Sequence, residues 1–287
     1  MATSKSSKRE RAEERRALVE KMKREQQRQE RRRMVLGTGV LVVILAGLVV
    51  AVLLGTRGGG KPSEEGKQIV PAAVTGGTPL VQKPPAEVKN TTGVEGVIAY
   101  DTKGYPAPGK ADAGTLSHDH VTGPVKYAVL PPVGGQHNGV WMNAGVYNKP
   151  IPLERAVHNL EHGVVWISYD PSLPRSDVDK LVSFVGKQSM ISEGSNSNRF
   201  MDLAPWDDSL GKLPSKVVLS SWGYQLRLDS VDTSRMQDFV DTFRHSKKYT
   251  PEYGSAADGI PVQTGGQPVK YGSKFANPAG AVNGQGM

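Results

Sequence analysis

The chain has 287 residues, with 36 Lys/Arg against 28 Asp/Glu, a formal net charge of +8 and no cysteine. That charge is unevenly placed: residues 1–33 hold 13 Lys/Arg and 6 Glu, while the remainder holds 23 Lys/Arg and 22 Asp/Glu. A basic nucleic-acid-binding domain is thereby excluded, and without cysteine there is no disulfide, thiolate ligand or CxxC redox pair.

Taken in chain order, residues 1–33 form a basic cytoplasmic leader. Arg16/Glu20, Glu20/Arg24 and Lys21/Glu25 stand at helical spacing, but Leu18, Val19 and Met22 are too few to make a coiled-coil seam. Residues 34–55 are an uncharged run of 22 dominated by Val, Leu and Ala. At about 1.5 Å per residue, a helix of that length covers roughly the 30 Å of a bilayer's hydrocarbon core. It is longer than the apolar part of a signal peptide and reads as an uncleaved transmembrane helix, with the lipid bilayer as its partner. Arg31, Arg32 and Arg33 on its amino-terminal side put the leader in the cytoplasm and the rest outside. The expected localisation is the cell membrane, single-pass, with an extracytoplasmic carboxyl domain.

Residues 56–92 are rich in Gly, Pro, Lys and Thr and have no apolar period, so they read as a flexible tether. Residues 253–287 repeat that composition and read as a disordered tail. The stretch 93–252 between them carries the patterns of a core. Val125–Leu130 predicts a strand stopped by Pro131-Pro132. Pro152–His162 predicts a helix, with Pro152 in its first turn and Gly163 at the C′ position. Val164–Tyr169 is apolar on both faces and predicts a central strand.

Ser176 is expected to cap a helix whose inner stripe is Val178, Leu181, Val182 and Val185. Lys216–Trp222 and Tyr224–Asp229, broken at Gly223, predict two strands of a hairpin or one bent strand, and Asp232 predicts the cap of a helix bearing Met236, Phe239, Val240 and Phe243. The fold class is α+β: one transmembrane helix plus a compact extracytoplasmic domain with a mixed or antiparallel sheet and two to three helices, packed on one face.

Five of the six histidines fall between His118 and His162. His118 and His120 form an H-x-H pair whose rings point the same way on an extended chain. His137 follows the turn Pro131-Pro132-Val133-Gly134-Gly135, in which prolines stiffen and glycines permit close passage. His158 and His162, four apart, share one helical face with Glu154, opposite the apolar stripe of Leu153, Ala156, Val157 and Leu160. Imidazole is the commonest protein metal ligand, and nitrogen donors without thiolate suit zinc or copper(II). Met142 offers a thioether for copper(I).

The expected metal ligands are therefore His158 and His162, then His137, then His118 and His120. Glu154 and Glu161 are candidates to orient imidazoles, and Trp141, Tyr147, Trp166 and Trp222 are candidates for core or site walls. His245, near Lys247 at a helix end, reads as a surface residue or a hydrogen-bonded core residue.

Three functions fit these residues. The first is a membrane-anchored protein that binds zinc or copper for storage, delivery or sensing. The alternative is a metal-free module that docks an envelope protein partner. The third is a zinc-dependent hydrolase using His158-x-x-Glu161-His162, which matches the H-x-x-E-H pattern of inverted zinc peptidases. Those peptidases need another carboxylate from a later helix, for which only Asp238 and Asp241 are at hand. No other catalytic constellation is present, so enzymatic activity stays open.

The segments Pro131–His137, Gly145–Pro150, Val157–Gly163, Ser221-Trp222-Gly223 and Leu226–Asp229 together resemble the domain of unknown function 3105 family, actinobacterial membrane-anchored proteins. The resemblance spans about residues 93–252. It implies one anchor and a histidine-bearing outer domain, and carries no established activity. Family members with Cys at the position of Ala144 imply that thiolate ligation is not required here.

Overall fold

The computed structural model describes residues 69–102, 116–194 and 196–268. The leader and the apolar run 34–55 lie outside the described residues. Among the described residues no helix is long and apolar enough to cross a membrane.

The centre is a mixed six-stranded sheet. Its strands are β2 (Glu87–Val88), β3 (Val97–Tyr100), β7 (Val165–Tyr169), β10 (Met201–Pro205), β11 (Val217–Ser221) and β12 (Tyr224–Leu228), in the order β10-β7-β11-β12-β3-β2. Only β10 and β7 run parallel. A parallel pair needs a crossover of a dozen or more residues, supplied here by helix α2 (Arg175–Lys187) and the small hairpin β8 (Ile191–Glu193) and β9 (Asn196–Asn198). β11 and β12 form a hairpin through the two residues Trp222 and Gly223, so the predicted break is a turn.

Alternation along β7 sorts its side chains to two cores. Val165, Ile167 and Tyr169 pack with Leu181 and Val185 of α2 and with Met236, Phe239, Val240 and Phe243 of helix α3 (Thr233–Phe243). Trp166 points the other way, into a cluster with Leu153, Ala156, Val157 and Leu160 of helix α1 (Leu153–Glu161). The helices thus cover both faces of the sheet rather than the one face expected. The reason is written in β7: a strand apolar on both sides leaves a bare face worth about 1.5–3 kcal/mol per large side chain unless something covers each side.

Two expected caps differ in outcome. Asp232 accepts from the Ser234 and Arg235 amides and starts α3 as predicted, whereas α2 begins two residues earlier than expected, after Pro174, with no side-chain cap from Ser176. The predicted strand over 125–130 is cut to β5 (Val125–Lys126), because its one partner, β1 (Leu80–Val81), is only two residues long.

The domain is longer than the 93–252 read from composition. Residues 69–92, expected as tether, include β1 and the edge strand β2, and the backbone of Ala72 accepts from Arg155 Nε at 2.7 Å. The first part of the expected tail also packs. The Asn143 side chain accepts from the Ile260 amide at 3.0 Å and donates to the Ile260 and Gly266 carbonyls at 2.9 Å. Ala144 N–H donates to Ala257 O, and Ile69 bridges Gln267. Composition fails here because these segments are held by backbone hydrogen bonds to buried amides rather than by an apolar period. Truncation of that amide, Asn143→Ala, is expected to cost about 1–3 kcal/mol and to open 257–268 first, seen as faster amide exchange there with α2 and α3 unchanged.

Under α1, Asn159 donates to Asp202 of β10 at 2.9 Å and accepts from the Met142 amide at 3.1 Å, while Gly145 N–H donates to Asp202 at 3.1 Å. Burial pushes the Asp202 carboxyl up to about 7 in spite of those two donors. This clasp fixes the helix to the sheet and so fixes what the helix carries at its end.

Candidate metal centre

All nine residues of α1 are buried, its charged ones included. Leu153, Ala156, Val157 and Leu160 face the sheet, and the polar face expected to meet something polar meets chain. Glu154 accepts from the Val125 amide at 2.8 Å, so it anchors β5 and does not orient an imidazole. The last turn delivers His158, Glu161 and His162. Gly163 follows with φ +92°, and a Cβ there would lie 2.6 Å from Thr250 Oγ1. The helix stops where a side chain cannot follow.

Two short strands bring the other rings. β4 (His120–Val121) pairs in parallel with β6 (His137–Asn138), so His120 sits opposite His137. Their rings are 4.9 Å apart edge-on, and His120 stacks on His158 at 4.9 Å. The turn before β6 crosses Trp222: at Gly134, φ +137°, a Cβ would lie 3.1 Å from the indole. Only glycine lets the loop pass and set His137 deep in the protein.

The tautomers follow from the partners. His137 Nδ1 lies 2.7 Å from Gly135 O, His158 Nδ1 2.7 Å from Asn138 O and His162 Nδ1 2.6 Å from Ala256 O. A carbonyl only accepts, so each Nδ1 carries the hydrogen and each neutral ring keeps its lone pair on Nε2. Those lone pairs face other acceptors. His158 Nε2 is 3.0 Å from His162 Nε2, and His137 Nε2 is 2.8 Å from Glu161 Oε2. The second contact is short enough for a hydrogen bond but lacks the angles of one; both atoms are buried and neither has a hydrogen-bond partner in the protein.

Burial, aided by the neighbouring His162 and His137, pushes His158 down to about 2, so it is neutral at physiological pH. His120 is also lowered, by burial and then by His137, against the pull of Glu161. Burial alone would raise Glu161, but His118 and His137 outweigh it and hold the carboxyl below its usual range. Neutral rings and an ionised carboxylate are the forms that bind a metal ion.

Two sets of donor atoms lie close enough to share one. His120, His137, His158 and Glu161 form the first, and His158, His162 and Glu252 the second, with the atoms of each set within 4.8 Å of one another. Trp141 covers the rings of His158 and His162 at 5.6 and 5.1 Å, held by Nε1–H donating to Asp258 O at 3.0 Å. Trp222 flanks His118 and His137 at 4.4 and 5.9 Å.

The family described as Protein of unknown function (DUF3105) matches residues 118–259, from the first of these histidines to just past Glu252. The chain belongs to the DUF3105 family over that stretch. No curated protein and no solved structure matches the chain. The DUF3105 match takes in every donor of both sets, while residues 69–102 and 260–268 lie outside it and pack into the same fold.

Within the DUF3105 domain, four of the five expected ligands fall in these sets and His118 does not. It hydrogen-bonds through Nδ1 to Glu161 Oε1 and lies on Trp222, one step behind the donors, where it orients the carboxylate. Met142 is buried in the apolar cluster beneath α1, with Ala156, Val157 and Leu160. Tyr147 and Trp166 are core, and Trp141 and Trp222 are walls. His245 takes the core place of its two expected ones: its side chain, 7 % exposed, lies between the rings of Phe200 and Tyr253, with Nε2 2.8 Å from Glu193.

Sequence reasoning missed Glu252, whose Oε2 is 3.3 Å from His162 Nε2. It lies outside any periodic element, 90 residues beyond its partner, and a lone acid after Thr250-Pro251 carries no signal. The three carbonyls that set the ring tautomers are equally invisible in side-chain patterns.

Proposed function

We propose that the DUF3105 domain binds a divalent transition metal ion, zinc or copper(II), through His120, His137, His158 and Glu161. One observation carries this reading: buried Nε2 lone pairs, fixed by Nδ1–H donors to backbone carbonyls, point at one another and at a carboxylate. Such acceptors repel unless a cation stands between them. Metal-bound histidines have the same second contact, the far ring N–H donating to a carbonyl or carboxylate. Three nitrogens and one oxygen, with no sulfur ligand, suit zinc or copper(II) over copper(I).

The membrane part of the proposal rests on the 34–55 run and the arginines before it. It places the site outside the cell, on a single anchor, where it meets incoming metal ions. The hydrolase reading has weaker support: Glu161, the would-be base of the H-x-x-E-H pattern, is held by His118 and shares a donor set with His120 and His137.

The test is metal analysis of the full chain, purified in detergent, stripped with chelator and reloaded. About one zinc or copper ion per chain is expected. At a free concentration about 100 times Kd, binding adds about 2.7 kcal/mol and raises Tm by roughly 5–10 °C. A chain that takes up neither metal and melts unchanged with either overturns the proposal.

A further inference from the structure

The two donor sets share one residue, His158. Its Nδ1 is committed to the Asn138 carbonyl, which leaves Nε2 as the one lone pair the ring has to give. One lone pair binds one ion. An ion fully ligated by His120, His137 and Glu161 takes the lone pair that His162 and Glu252 would need, and the reverse holds equally.

Building on the metal reading above, we propose that the cluster holds one divalent ion in two alternating positions. His158 is kept as a ligand in both. The distances fit: metal–nitrogen bonds of about 2.0–2.1 Å put two ligands on a tetrahedral ion roughly 3.3 Å apart. His158 and His162 are 3.0 Å apart at Nε2, His162 and Glu252 are 3.3 Å apart, and His120 Nε2 lies 3.9 Å from Glu161 Oε2. Small shifts of ring or carboxylate close each position around an ion.

The positions differ in what they leave open. The first set offers four protein donors, enough to close a tetrahedron; the second offers three and leaves a place for water or for a ligand of whatever delivers the ion. Each set has one half-exposed donor, His120 at 50 % in the first and Glu252 at 48 % in the second, so the number of donors and not exposure separates the two positions. The three-donor position is therefore the loading position and the four-donor position the holding one. The ion passes between them by exchanging His162 and Glu252 for His137, Glu161 and His120 while His158 stays bound. Trp141 lies over His158 and His162, the two rings at which the positions meet. Such a transfer assigns the site to delivery of a borderline divalent cation, the class that imidazole and carboxylate donors take.

Co(II) is the probe, presented from a weak chelator to the full chain in detergent, with stoichiometry from elemental analysis and loading followed by visible absorption. The wild-type chain is expected to take one ion. Glu252→Gln, at a half-exposed position where folding is not at stake, is expected still to take one ion but to load at least tenfold more slowly. Two ions per wild-type chain, or equal loading rates for wild type and Glu252→Gln, overturn the two-position inference and leave the metal reading standing. No ion in either chain overturns both.

Discussion

Replacement of His158 by alanine is expected to weaken metal binding by the full chain more than loss of any other histidine does. His158 is the donor common to both sets, so its removal leaves two incomplete groups: His120, His137 and Glu161 on one side, His162 and Glu252 on the other. His118→Ala is the contrasting change, because His118 reaches the ion only through Glu161. Partners of that kind typically contribute 10–100-fold in affinity, and the His158 effect is expected to exceed that range. Titration of both variants with zinc against a competing chelator, after circular dichroism shows each to be folded, measures the difference. Equal losses for the two would mean that His158 holds no special place in the cluster.

Much of this domain was legible before its structure, for reasons that differ by element. The helix bearing His158 and His162 announces itself through Pro152, Gly163 and a 3.6-residue apolar stripe, and β7 through an unbroken apolar run; both are local signals, and both elements form within a residue of the expected limits. The convergence of His120 on His137 is not local. It depends on a two-residue parallel bridge between segments 17 apart, which no periodicity encodes. Side-chain chemistry likewise marked the histidines as donors but could not separate His118, which binds a carboxylate, from His120, which faces the centre. That distinction lies in His120 being within β4 while His118 precedes it by two residues, and in the indole of Trp222.

The tail misled for a related physical reason. Gly and Pro at high density forbid a regular element, and composition reads that as disorder. A segment without regular structure is still ordered when each backbone group finds a partner. Asn143, Trp141 and His162 supply those partners to residues 256–266. Their own roles are tied to the site: Trp141 walls it and His162 is one of its donors, so the strap that composition discards holds the centre together.

The same burial sets an expected pH response in the metal-free protein, read by comparing variants. His158 is held near 2 when folded and returns to an ordinary histidine value near 6.5 when unfolded. Below about 6.5 the unfolded chain binds a proton that the folded chain refuses, so this group's contribution is fully present above 6.5 and is lost as pH falls. Asp202 runs the other way: raised to about 7 when folded from an ordinary 3.8, it keeps a proton in the folded chain that the unfolded chain has released, and its contribution is lost as pH rises between those values. Each slope approaches about 1.4 kcal/mol per pH unit. From pH 6.5 down to 4.5 the two offset, and wild type hides both. His158→Gln is expected to gain stability relative to wild type as pH falls across that window, by about 2.7 kcal/mol at most, and Asp202→Asn to lose a similar amount. Chemical denaturation of the three chains at pH 6.5, 5.5 and 4.5 in the presence of chelator reads both slopes. Parallel profiles for wild type and His158→Gln would show that the ring is protonated in the folded domain, and the argument for converging lone pairs would go with it.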